Sequence, residues 1–253
     1  MTFELILMSS VMAVASGVTG CFAVMRRMSL AADALSHVAL PGIGIALALH
    51  INPLIGAVAM LAFGALLVWA VEEQTRAPIE TIIGVMFAAA LAVGAMLTRG
   101  EDLMEALFGG VPSIGASDRW FGLAAAIAVI TFVVTQRHRL VVALVSPDLA
   151  RTTGINVRLL NLIYLEVFAL TIALGLRYLG VLLMGSLLVI PAATARRVSR
   201  NLTEMLVVAA VLAVVATIGG AYAAEAIGQQ SGPVIVTVAA IMFVVSLGAR
   251  SNT

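Results

Sequence analysis

Nine apolar stretches divide this chain, and the short connections between them collect most of its charge. On a rule of about 20 mostly apolar residues per membrane crossing, they run over Leu5–Met25, Leu30–Leu49, Pro53–Val71, Ile79–Leu97, Phe121–Gln136, Val157–Leu176, Leu179–Ala195, Thr203–Ala224 and Pro233–Leu247. Backbone polar groups in hydrocarbon must be bonded internally, so stretches of this length cross as helices. With 62% hydrophobic residues, 11% charged residues and a mean hydropathy of +1.13, the chain is excluded from the water-soluble globules. The expectation is an all-α polytopic membrane protein of nine helices, or eight should one be short or re-entrant. No Pro/Ser-rich linker, charge run or fixed-period repeat interrupts residues 1–253, so a single transmembrane domain is expected.

Arginine placement gives an orientation, because short cytoplasmic loops carry the excess of basic residues. Alternate connections hold Arg26 and Arg27, then Arg76, then Arg137, Arg139, Arg151 and Arg158, then Arg196, Arg197 and Arg200, and finally Arg250. The opposite set holds only Arg99, Arg119 and Arg177, together with His50 and Glu225. The first set is expected in the cytoplasm, which puts the N-terminus outside and the C-terminus inside. His138 lies between Arg137 and Arg139 and belongs to that orientation signal. Trp69 and Trp120 fall near span ends, where amphipathic rings collect. The tripeptide Ala13-Val14-Ala15 has the form of a signal-peptidase site, but no basic residue precedes it, so the first stretch is expected to be retained as a span. The formal charge of +1 gives no reason for a nucleic-acid partner, and lone Cys21 reads as a packing residue.

Two ionisable residues stand inside the second stretch. Asp33 and His37 are separated by four positions, which places carboxylate and imidazole on one helical face. Ionisable groups in a bilayer are costly and tend to face a bundle interior or a pathway. The same pair suits a divalent transition metal, since imidazole and carboxylate are both ligands for such ions. If the helix runs on unbroken from Arg27, His37 lies about 15 Å further along, near the middle of a core about 30 Å thick. The competing reading is polar glue, with both residues bonded to Ser or Thr on neighbouring helices. Two ligands do not complete a four-coordinate site.

A second polar interruption is Ser146–Val157, SPDLARTTGINV. Ser146 fits a helix cap, Pro147 and Asp148 fit the first turn, and Gly154 fits a stop. A short helix lying on the cytoplasmic face is expected, either as a solvated connector or as a docking element. Further candidates are Glu166, in mid-span, as a pathway acid or a partner-bonded interface residue, and His50 and Glu225 at outward ends, where they could attract cations or stand as ordinary surface charges. Leu103–Val111, LMEALFGGV, fits a short outward-facing helix closed by glycines. In Gly180–Arg197 small residues permit close packing, and Pro191 is expected to bend the helix.

Absences narrow the chemistry. All 14 Lys and Arg residues are arginine, so no P-loop, which needs a lysine for the nucleotide phosphates, exists in this sequence. H-E-x-x-H and G-x-S-x-G are absent too, and no nucleophile and base share one depth. The chain is not expected to be an enzyme or to hold a permanent cofactor.

RRMSLAADALSHVALPG, LMEALFGG, SPDLARTTGI, LGVLLMGSLLVIPAATARR and GGAYAAEAIGQQSGP occur in this order. Together they resemble the integral membrane permease of bacterial ABC importers for zinc, manganese or iron, over about residues 18–247. The resemblance implies a fold similar to a reduced vitamin B12 or iron-chelate importer permease in the bacterial inner membrane. It implies a second permease copy, commonly identical, two cytoplasmic ATP-binding subunits and an extracytoplasmic metal-binding protein. It also implies that Asp33 and His37 lie on the path of the transported ion, zinc first and manganese next. The ATPase-docking element falls on Ser146, Pro147, Asp148, Leu149, Ala150, Arg151, Thr152, Thr153, Gly154 and Ile155. Ala32 stands where the motif usually has glycine, which alters packing beside Asp33 more than ligand chemistry. A gradient-driven carrier or channel is the alternative, with Asp33 and Glu166 as proton acceptors.

Overall fold

The computed structural model describes residues 3–75, 77–97, 116–178 and 181–249. These residues form α1 (Phe3–Met25), α2 (Ala31–Ala48), α3 (Pro53–Thr75), α4 (Ile79–Leu97), α5 (Ala116–Val145), α6 (Pro147–Thr152), α7 (Val157–Tyr178), α8 (Val181–Val198), α9 (Leu202–Ile227) and α10 (Ser231–Ala249). Every expected span falls on one of these helices, and the remaining one is the short α6. Among the described residues, seven helices are long and apolar enough to cross a membrane, and Ile79–Gly94 is a shorter apolar helix. Leu103–Val111, Arg76, Arg99 and Arg250 lie outside the described residues.

Helix α1 is central, packed against α5, α7, α8 and α9, while α2 packs on α3, α4, α7 and α8. Phe22 of α1, Tyr164 and Phe168 of α7 and Leu188 of α8 are buried in one apolar core. Lipid tails are as apolar as these side chains, so the helices gain mainly from close approach of their backbones. A Cβ on Gly42 would run into the carbonyl of Gly56, and one on Gly56 into that of Gly42. The α2–α3 contact therefore depends on both glycines. Cys21 is buried with Sγ 3.7 Å from the Met205 carbonyl oxygen, a packing position.

Helix α5 is longer than its apolar run predicts. Arg137–Arg139 suggested an end at Gln136, yet the helix continues to Val145. Leu140 and Ala143 beyond the basic cluster are buried in the main core, and Pro147 is the first residue whose missing N–H stops the ladder. Pro191 stands inside α8, which stays helical to Val198. Pro41 is a second internal proline, in α2, and lies beside Gly94 of α4.

Candidate functional site

The corner between α1 and α2 fixes where Asp33 stands. Arg27 adopts φ 62°, Arg27 N–H donates to the Val24 carbonyl at 3.2 Å and Met28 N–H to the Ala23 carbonyl at 2.8 Å. This is a Schellman cap with arginine in the left-handed position, closed by the buried side chain of Met28. The helix is thus not continuous past Arg27. Because α2 starts at Ala31, the helical path to His37 is about 9 Å, shorter than the 15 Å an unbroken helix gives. Asp33 sits in the first turn, where a carboxylate complements the positive end of the helix dipole.

Around the pair, one side is built and the other open. Gly185 of α8 lies against Asp33, and a Cβ there would stand 3.2 Å from Asp33 Cα. The His37 ring meets Phe87 of α4 edge-on, 5.4 Å between centroids at 64°. Ser36 turns back on its own helix, donating to the carbonyls of Ala32 at 3.0 Å and Asp33 at 2.6 Å. Asp33 is exposed, His37 is half-buried, and neighbouring Leu30 is 82% exposed. Among the described residues no side chain bonds the Asp33 carboxylate, and His37 Nδ1 is buried without a hydrogen-bond partner. Buried polar atoms are nearly always bonded. The glue reading requires partners that these residues do not provide.

Among the described residues no group of three or more His, Cys, Asp or Glu gathers at a metal-binding distance. Glu166 borders a groove of about 400 Å³ between α3 and α7, walled by Val58, Ala62, Leu162, Leu170 and Ala173, and no residue of α2 lines it. His50 lies at the other end of α2, with φ 55°. Its N–H donates to Leu47, and that of Ile51 to Ala46, closing a second Schellman cap. Glu225 lies in the last turn of α9, beside the Gly228 cap. The structure brings none of these three to Asp33 and His37.

The Ser146–Ile155 segment folds as a rigid bracket. Ser146 Oγ accepts from Leu149 N–H at 3.4 Å, and Asp148 pairs with Arg151 at 3.1 Å. Thr153 Oγ1 donates to the Ala150 carbonyl at 2.9 Å. Gly154, φ 79°, ends α6, with Ile155 N–H bonded to the Ala150 carbonyl at 2.9 Å. Asn156 then caps α7 through Leu159 N–H. Ala150 is fully buried while Leu149 is 55% exposed. The bracket is anchored on one side and offers one apolar knob on the other. Phe87 carries no motif signal of its own, whereas Gly185 lies in the small-residue stretch Gly180–Arg197; helix packing is what brings each to the pair.

The ABC 3 transport family model matches residues 1–250. The high-affinity zinc uptake system membrane protein ZnuB of Haemophilus influenzae is 34% identical over 99% of this chain and 98% of its own length. The manganese transport system membrane protein MntC of Listeria monocytogenes is 33% identical over 92% of this chain and 85% of its own. In fold, the chain is similar to PsaBC from Streptococcus pneumoniae, solved in complex with Fab, with a TM-score of 0.81 at 24% identity, covering 96% of this chain and 89% of that one. With a family model matching residues 1–250 and relatives above 30% identity over at least 92% of its length, the chain is a member of the ABC 3 transport family, as a permease of the metal-importer type.

Proposed function

We propose that the chain is the membrane subunit of an ATP-driven importer that carries a divalent transition metal into the bacterial cytoplasm, zinc first and manganese next. The observation that carries this reading is the open face of α2, where exposed Asp33 stands one turn from a His37 whose Nδ1 is buried and unbonded. An imidazole and a carboxylate replace part of a metal ion's hydration shell. One chain supplies two donors. A second copy across a two-fold axis supplies two more, which makes a four-coordinate set of two imidazoles and two carboxylates. Exposed Leu30 and Asp33, with half-buried His37 one turn on, form the surface such a copy would cover.

ATP hydrolysis belongs to separate cytoplasmic subunits, which dock on Ser146–Ile155, and an extracytoplasmic binding protein delivers the ion. Nucleotide-driven closure of the ATPase pair would move the two brackets together and open the pathway to alternate sides. The N-terminus lies outside and the C-terminus in the cytoplasm. Cysteines at exposed Val198 and Gln229 should therefore label from the cytoplasmic and outer faces respectively. Labelling from one face would refute this orientation.

A gradient-driven carrier would use Asp33 and Glu166 as proton acceptors, and Glu166 lies in a groove to which α2 contributes nothing, so the two form no single relay. The test is zinc and manganese uptake by the permease reconstituted with its ATPase and binding protein. Uptake is expected with ATP and none with a proton gradient alone. The reverse result assigns the chain to the secondary carriers.

A further inference from the structure

Polar side chains not used by the metal pair or the docking knob gather at the α1–α2 corner. Arg26, at the end of α1, has a side chain only 13% exposed, with Nη2 3.9 Å from Oε1 of Glu72 on α3. Its guanidinium carbon stands 5.2 Å from the centre of the Tyr164 ring on α7. Tyr164 is fully buried, and its hydroxyl donates to the Thr19 carbonyl at 3.3 Å. Arg26, Glu72 and Tyr164 line a cavity of about 200 Å³ whose wall includes Pro147 at the start of the docking bracket and Val157, the first residue of the helix that follows it.

The corner is tied to both moving parts. On the bracket side, Arg158 of α7 pairs with Glu73 of α3 at 2.7 Å, and Trp69 donates to the Arg158 carbonyl at 3.1 Å. The start of α7 and the end of α3 are therefore joined by these two contacts. On the metal side, Arg196 of α8 donates to the Val24 carbonyl at 3.2 Å, and the same helix carries Gly185 against Asp33. Between them, the Schellman-capped turn leads from Arg26 to the first turn of α2 without a free linker. A distance of 3.9 Å is an ion pair but not a hydrogen bond. With an aromatic face on one side and open volume on the other, the guanidinium can change partners without leaving the cluster.

We propose that Arg26 is a positioning residue, transmitting displacement of the Ser146–Ile155 bracket through Glu72 and Tyr164 to Asp33. This inference rests on the importer reading above. Its test uses the reconstituted complex of permease, ATPase and binding protein, with zinc as the probe. In Arg26→Met, which keeps length but removes charge, zinc moved per ATP hydrolysed should fall at least tenfold, and Arg26→Lys should recover part of it. A fluorophore on Leu49→Cys, exposed at the far end of α2, should respond to ATP in the otherwise unaltered complex and not in Arg26→Met. An unchanged zinc-to-ATP ratio overturns the proposal, as does a proportional fall in both with the fluorophore response intact. Should Arg26→Met fail to assemble, Glu72→Gln gives the same readings with the shape retained. A complex that moves no metal even without substitutions defeats the importer reading and this inference together. Transport lost in Asp33→Ala but fully coupled in Arg26→Met defeats this inference alone.

Discussion

Asp33→Ala and His37→Ala should each abolish most metal uptake while dimer assembly and ATPase binding persist. Groups that merely support metal ligands cost 10–100-fold when removed, so loss of a ligand should cost roughly 100-fold or more. In a two-fold assembly each substitution removes two donors at once. Asp33 is exposed and makes no side-chain bond among the described residues, so its removal leaves no partner stranded and the fold should hold. Asp33→Asn separates charge from shape, since it keeps the size and one oxygen but loses the negative charge. An ion pathway is impaired by that change, whereas a hydrogen-bonding role survives it. Zinc uptake into proteoliposomes is the measurement. Near-normal uptake in both Asp33→Asn and His37→Ala would remove the pair from the pathway and leave the family membership standing.

The legible part of this molecule is the part written in local chemistry. Each span announces itself because hydrocarbon tolerates only internally bonded backbone. The bracket announces itself because Ser146, Pro147, Asp148 and Gly154 are the residue types that start and stop a short helix. Corners capped without glycine are harder to see. Arg27 and His50 hold left-handed conformations that sequence reading assigns to glycine or asparagine. The break after Arg27 shortens the helical path to His37, and only the hydrogen bonds of the turn reveal it. The end of α5 is missed for a related reason: a basic cluster marks the edge of the apolar run, but burial of Leu140 and Ala143 keeps the helix going. Neighbours in space, such as Phe87 beside His37 and Glu72 beside Arg26, have no sequence signature, since they come from helices about 50 residues away. Glu166 stands apart from the pair: an ionisable residue in mid-span attracts a pathway reading on composition alone, and the groove it borders is lined by α3 and α7.

Replacing Leu149 with aspartate should uncouple the permease from its ATPase with the membrane domain still folded. Leu149 is 55% exposed on a bracket whose other face, at Ala150, is fully buried, so the substitution touches no core contact. The bracket itself does not depend on the leucine side chain, because its cap uses the Leu149 N–H and its end uses Gly154 and Ile155. Burying one leucine in a partner surface contributes about 1.5–3 kcal/mol, and a buried unpaired carboxylate replaces that gain with a cost of several kcal/mol. Two brackets act in a dimer, so the loss is felt twice. The expected result is a permease dimer that purifies intact, retains little ATPase in detergent and takes up no metal. Leu149→Ala, which loses the contact without adding charge, should fall between the two. Co-purification of the ATPase with the permease, measured beside zinc uptake, reads both effects. Full retention together with full uptake in Leu149→Asp would show that Ser146–Ile155 is a solvated connector, and the path of force from nucleotide to Asp33 would have to enter the membrane domain elsewhere.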